Sequence, residues 1–181
     1  MVMNPARTQR SFFETLWARR SVRSFTSRRI EPDTLRTILE SANRAPSAGN
    51  IQAYQVYAVS SRFRIKELVH AALEQDFIAQ APLVLVFCAN PEASAKRYGQ
   101  RGRNLYALQD ATIACAYAQL AVAALGLGSV WVGSFDENAV RQILEVPQHL
   151  VPMALLPIGY PAEEPEVSRR RGLEELVYYI R

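Results

Sequence analysis

Residues 111–127 read A-T-I-A-C-A-Y-A-Q-L-A-V-A-A-L-G-L, the most apolar stretch of the chain. The run is slightly short for a membrane span, carries Gln119, and follows Asp110 directly, so a buried core or interface helix is the better reading. The helix is expected from about residue 104 to residue 125, with Gly126 suited to its C-terminal cap. Its many alanines let another helix approach closely, and the remaining elements must be arranged to cover it.

Downstream, residues 129–132 predict a short strand. Asp136 can cap a helix through Leu144, with Pro147 just past its end. Residues 151–158 give a last strand, which Pro152 and Pro157 confine to an edge or shorten in its pairing. Upstream, residues 92–103 are charged, and residues 83–88 form a continuous β-branched apolar run, as expected of a strand covered on both faces. Ile65, Leu68, Val69 and Ala72 mark an amphipathic helix, and residues 53–59 a strand rich in Tyr and Val. Pro32 begins another helix with Leu35, Ile38, Leu39 and Ala42 on one face, and Pro46 stops it. The first helix runs from about Phe12 to Ala18, opened by the capping box Ser11/Glu14. Helices and strands mix without a strict βαβ rhythm, and neither a repeat nor a linker divides them. The expectation is one α+β domain over residues 1–181.

The chain has 49% hydrophobic and 21% charged residues, the balance of a globular protein, and a formal net charge of +4. That charge suits anionic ligands without indicating nucleic acid. Cys88 and Cys115 sit in apolar runs and form no CxxC pair. With only His70 and His149 beside them, no metal site is expected, and the setting reads as reducing and cytoplasmic. Residues 1–10 carry charge but no apolar core, unlike a signal peptide.

Four stretches carry candidate chemistry, and each also has a plain structural reading. Arg19-Arg20-Ser21-Val22-Arg23 offers planar donor forks for a phosphate or a carbonyl-rich ring, or is a solvated charge run. Ala45-Pro46-Ser47-Ala48-Gly49-Asn50-Ile51-Gln52 offers amides that can read a heterocycle with N–H beside C=O, or is a helix-to-strand loop. In Gly126-Leu-Gly-Ser-Val-Trp-Val-Gly133-Ser134 no Lys follows the glycines as in a phosphate-binding P-loop, and Trp131 stands where a dinucleotide fingerprint has its third Gly. It is a cap, a strand and a turn, or a place where Gly133 brings backbone N–H groups close to a ligand. Arg169-Arg170-Arg171 is a basic tail or a second phosphate clamp. Neither His70 nor His149 has the neighbours of a catalytic triad.

It is the order of these stretches that narrows the choice. R-R-S-x-R after an N-terminal helix is followed by A-P-S-x-x-N-x-Q before a strand, then by an Ala-rich helix ending Gly-Leu-Gly and by Trp-Val-Gly-Ser-Phe. Pro-Ile-Gly-Tyr-Pro and a basic tail leading into Leu-Glu-Glu complete the series. From about Phe12 to Tyr179 the chain resembles the FMN-dependent nitroreductase family, and looks like one of its compact members.

The resemblance implies an α+β fold with a central, mostly antiparallel sheet flanked by helices, in an intertwined homodimer with two FMN sites at the interface. Arg19, Arg20 and Ser21 match the stretch contacting the FMN phosphate and ribityl chain. Arg23 matches the basic position near the N1–C2=O edge of the flavin, where a cation stabilises negative charge on the ring. Ser47, Asn50 and Gln52 match the loop that reaches the flavin from the partner subunit. Val132, Gly133 and Ser134 match the turn over the flavin face, where a backbone N–H can donate to N5, so Arg23 and Gly133 are the catalytic candidates. Arg169 and Arg171 match the tail phosphate ligands, with the register around Arg170 open by one residue.

The implied activity is hydride transfer from NADH or NADPH through the flavin to a small acceptor such as a nitroaromatic, quinone or enone. Other members of the family cleave flavin or dehalogenate tyrosines, and no motif here selects either. A flavin storage or sensing protein is a further reading. A basic nucleic-acid-binding module is the reading from another class, without a helix-turn-helix or aromatic-stacking signature. Three departures stand out: Ala53-Tyr54 in place of Pro-Trp, Gly172 in place of a Pro, and no long insertion between the middle helices where larger relatives carry a substrate lid.

Overall fold

The computed structural model describes residues 10–181, so residues 1–9 of the N-terminal stretch considered above lie outside the described residues. The elements are α1 (Phe12–Ala18), α2 (Pro32–Asn43), β1 (Tyr54–Val59), α3 (Arg62–Ala71), α4 (Phe77–Gln80), β2 (Leu83–Ala89) and α5 (Pro91–Arg101), followed by α6 (Ala107–Ala124), β3 (Gly128–Ser129), α7 (Glu137–Leu144) and β4 (Val151–Gly159). A π-helical turn, Gly102–Tyr106, joins α5 to α6, so the long central helix begins a few residues later than its composition suggests. The charged segment after β2 is helical, started by Pro91 in its first turn and by the Asn90 side chain, which accepts from Ala93 N at 3.0 Å.

The sheet has the order β1-β2-β4-β3, and every ladder in it is antiparallel. One parallel bridge, Ser21 to Ser129, adds the chain after α1 to its β3 edge. Each strand sends alternate side chains to opposite faces. In β2 that puts Val84, Val86 and Cys88 in a core with α3 and α7, and Leu83, Leu85 and Phe87 in a core with α2 and α6. All of β2 is buried, as its continuous apolar run requires. The fold is thus α+β, a central antiparallel sheet between two helical layers.

The last strand departs from expectation. Pro152 and Pro157 do not put β4 at an edge; it lies between β2 and β3. Both prolines keep register with β2, Pro157 opposite Val84 and Pro152 opposite Cys88, and it is the pairing on the β3 side that is short. Pro157 lies between Ile158, opposite Ser129, and Leu155, opposite Val132. Pro152 follows a register shift at Phe87/Cys88. A proline lacking its N–H costs little where no acceptor faces it.

Helix α6 packs on the sheet and on α2, with Ala111, Ala114, Cys115 and Ala118 fully buried. Gly126 ends it with φ +73°. On its outer side Thr112, Ala116 and Tyr117 remain exposed.

Candidate functional site

The Arg19–Arg23 stretch leaves α1 and runs along the β3 edge. Ser11 and Glu14 close the reciprocal capping box that starts this helix, at 3.3 and 2.7 Å. Arg20 caps its other end, its guanidinium donating to the carbonyls of Trp17 and, at 3.0 Å, Arg19. Val22 N donates to the carbonyl of Ser129 at 3.0 Å. The valine side chain seats on Gly128, where a Cβ would stand 2.7 Å from it. Arg23 is exposed, its guanidinium 5.9 Å from the centre of the Phe77 ring.

Burial, together with the positive charges of Arg170 and Arg20, lowers the pKa of Arg19. Of the tail arginines, Arg170 is the one whose charge reaches Arg19. Arg171 is occupied with Glu175 at 3.1 Å, and Arg169 is exposed. None of Arg19, Arg20, Arg23, Arg169 or Arg170 pairs with a carboxylate among the described residues. A part-buried guanidinium beside two others is unfavourable unless an anion joins them.

Val132 exchanges two hydrogen bonds with Leu155, at 2.9 and 3.0 Å, and its side chain is buried. Its backbone and side chain are therefore committed to the sheet, while Gly133 and Ser134 emerge exposed. Trp131 lies beside Gly133, with Nε1 3.3 Å from the position of a Cβ there. The carbonyl of Ser134 accepts from Gln75 Nε2 at 3.0 Å.

The loop from Ser47 to Gln52 is built differently. Gly49, Asn50 and Gln52 all have positive φ, at +57°, +58° and +50°. Left-handed backbone at non-glycine positions costs energy and persists only where surrounding contacts impose it. Ser47 Oγ accepts from both Gln52 N and Gln52 Nε2, each at 3.0 Å, and Gln52 Nε2 also donates to Asn50 Oδ1 at 2.6 Å. Beneath them lies a residue that sequence reasoning assigned no role here. Asp110, 2% exposed at the start of α6, accepts from Ala48 N at 2.9 Å through Oδ1 and from Ala53 N at 3.2 Å through Oδ2. One side chain ties down both ends of the loop. Its signal in the sequence is a lone acid against the apolar run.

These two regions occupy opposite corners of one chain. The arginine stretch meets β3 just past the end of α6, through Ser21 on Ser129 and Val22 on Gly128, while Asp110 near the start of α6 holds the loop. A rise of about 1.5 Å per residue separates those contacts by roughly 20 Å. Across the sheet, β1 and β3 are the two edges, and spacings of about 4.8 Å put them roughly 14 Å apart.

Among the described residues no group of His, Cys, Asp or Glu could hold a metal ion, and no helix is long and apolar enough to cross a membrane. Cys88 and Cys115 are buried, and burial pushes both thiols up, Cys88 to about 12. They are therefore poor nucleophiles.

Comparison with known proteins places this arrangement. The model of the nitroreductase family matches residues 16–160, and the chain belongs to that family. It is 34% identical to an NADH dehydrogenase of Thermus thermophilus, over 89% of this chain and 92% of that one. Identity to an FMN reductase (NADPH) of Bacillus subtilis is 26%, over 92% of this chain and 74% of the relative. Among solved structures, the NADPH:FMN oxidoreductase of Vibrio harveyi complexed with NAD+ superimposes with a TM-score of 0.86 at 25% identity, covering 94% of this chain and 77% of that one.

Proposed function

We propose that the chain acts as a homodimer with an FMN site at each end of the interface, the arginine corner coming from one protomer and the amide loop from its partner. The chain is an FMN-dependent oxidoreductase of the nitroreductase family that takes hydride from NAD(P)H and passes it to a small organic acceptor. Bound FMN supplies the hydride chemistry at N5, and the protein binds, orients and polarises.

One observation carries the dimeric reading. Arg23 and the loop of Asn50 and Gln52 are both assigned to one flavin ring, yet one chain holds them at opposite corners. A hydrogen bond spans about 3 Å, whereas the length of α6 keeps these two regions on the order of 20 Å apart, which supports a second copy as the source of one of them. Exposed apolar side chains support it. Phe12, Phe13 and Trp17 on α1 are 64%, 67% and 75% exposed, and Tyr178, Tyr179 and Ile180 stand out from the tail. Surfaces of this kind mark association sites.

The residues fit the cofactor by charge and by shape. Arg19, Arg20 and Arg170, with Arg169 and Arg171 in the same tail, give a phosphate the donors that no carboxylate of this chain uses at Arg19, Arg20 or Arg170. Ser21 adds a hydroxyl. Arg23 would supply positive charge at the N1–C2=O edge. Val132 fixes the turn, from which the Gly133 N–H would serve N5 and Ser134 would border the same face. Ser47, with Asn50 and Gln52 of the same loop, reads the ring from the partner. A nicotinamide and then a nitroaromatic, quinone or enone would be held in turn at this site.

Mixing two inactive variants tests this. Arg19→Ala combined with Arg170→Ala removes one half of the site, and Asn50→Ala combined with Gln52→Ala the other. If each site draws on two subunits, unfolding and refolding the two chains together restores activity, since a mixed dimer retains one intact site. About a quarter of the sites recover at equal mixing. No recovery, with dimers formed, would place both halves within one subunit and refute the arrangement.

A further inference from the structure

Over the amide loop, α5 and the π turn carry positive charge that no carboxylate among the described residues neutralises. Lys96, Arg97, Arg101 and Arg103 stand here against one acid, Glu92. None of the four pairs with a carboxylate among the described residues.

Two of these arginines bracket a pair of tyrosines. Arg97 Nη1 donates to the carbonyl of Gly49 at 3.1 Å, and its guanidinium lies 5.4 Å from the centre of the Tyr98 ring. Tyr98 meets Tyr106 edge to face at 5.1 Å. Arg101 Nε donates to the Tyr106 hydroxyl at 2.9 Å, with its guanidinium carbon 5.5 Å from that ring. The row runs Arg97, Tyr98, Tyr106, Arg101. Close packing fixes it, for a Cβ at Gly102 would stand 2.6 Å from the carbonyl of Ser94. Arg97 joins it to the loop, and Arg101 is exposed at its free end.

We propose that Arg101, with Tyr98 and Tyr106, forms a subsite for the anionic group of an aromatic reactant, either a phosphate of the nicotinamide dinucleotide or a carboxylate on the acceptor. The guanidinium presents a fork of donors to such a group, and the phenol rings offer faces and edges to an attached ring. The assignment rests on the flavin site proposed above, because the loop from Ser47 to Gln52 is what sets this row beside it.

Arg101→Gln removes the charge and keeps a polar side chain. FMN bound per protomer is measured first, then KM for NADPH, NADH, para-nitrobenzoate and its neutral isostere para-nitrobenzamide. The subsite predicts unchanged FMN content, a KM raised at least about fivefold for an anionic reactant, and para-nitrobenzamide unaffected, consistent with the loss of a charge-assisted hydrogen bond. A rise confined to the dinucleotides assigns the subsite to their phosphates, and a rise confined to para-nitrobenzoate assigns it to the acceptor; either supports it. Unchanged KM for all three anions overturns it. Loss of FMN by the variant also overturns it, since Arg101 would then belong to the cofactor. A wild-type chain that takes up no FMN would bring down the flavin site itself, and this subsite with it.

Discussion

The arginine corner at the β3 edge and the amide loop at the β1 edge solve opposite problems. The loop is satisfied from within: Ser47, Gln52 and Asn50 bond one another, and Asp110 anchors both ends. These contacts hold three positive-φ residues in place before any ligand arrives. The corner is unsatisfied. Arg19, Arg20 and Arg170 gather without a carboxylate among the described residues, and what fixes the Arg19–Arg20 stretch is the bridge from Ser21 to Ser129 and the seat of Val22 on Gly128. One region is ordered by hydrogen bonds and supplies shape. The other is ordered by close packing and supplies charge, so changes in the two should separate ligand binding from stability.

The sharpest break comes from the double change of Arg19→Ala and Arg170→Ala. Each charge-assisted hydrogen bond is worth about 1.5–3 kcal/mol, so FMN affinity should fall by roughly 100-fold or more. Thermal stability of the FMN-free protein should hold or rise, because mutual repulsion is relieved. Fluorescence titration and melting of the stripped protein check both halves of the expectation; a large drop in melting temperature with affinity intact would reverse the two roles.

Asp110→Ala should do the opposite. It leaves two N–H groups without their acceptor, each costing about 1–3 kcal/mol when buried, so denaturant unfolding should show a loss of about 2–5 kcal/mol. FMN affinity falls only through the loosened loop. Stability within 0.5 kcal/mol of wild type, a bound of about the scatter of neutral surface changes, would mean that solvent replaces the anchor and that the loop is not held from below.

Smaller again is Gly128→Ala. Its Cβ would press on Val22 at 2.7 Å, and overpacking of this kind costs about 1–3 kcal/mol. Because Val22 lies between Ser21 and Arg23, the change should also weaken FMN binding, tying packing to charge at this corner. Affinity equal to wild type would uncouple them.

The mildest effect is one of pH. Both buried thiols hold their protons more tightly when folded, with Cys88 pushed to about 12. Stability is therefore full below the pKa of an unfolded thiol and declines as pH rises from there through the folded value. Neither thiol should react with a disulfide reagent at pH 8 until the protein unfolds. Rapid labelling of the native chain would contradict their burial.

Much of this architecture was legible in the residues. The unbroken apolar run at 83–88 indicated a strand with two covered faces, and β2 is that strand. Ser11 with Glu14 announced the first helix, and Gly126 the end of α6. The ordered motifs pointed to the family that the match over residues 16–160 establishes. Other features escaped. Residues 92–103 read only as a charged segment, with no element assigned, because a helix with one covered side and many cations has a weak apolar period. Pro152 and Pro157 suggested an edge or shortened pairing, and only three dimensions reveal that β4 is central, with full pairing to β2 and short pairing to β3. Asp110 served only as a mark against membrane insertion, since its partners are about 60 positions away.

What the chain determined by itself were the short-range matters: which segments are helix or strand, which faces are apolar, and which motif types occur in which order. Propensity, periodicity and capping act over a few residues and are written locally. Only the tertiary structure decided that the arginines and the amides stand at opposite corners, that Arg170 is the tail arginine whose charge reaches Arg19, and that one aspartate holds the loop. Those are distances between parts remote in sequence, set by how the sheet orders its strands and how one long helix spans it.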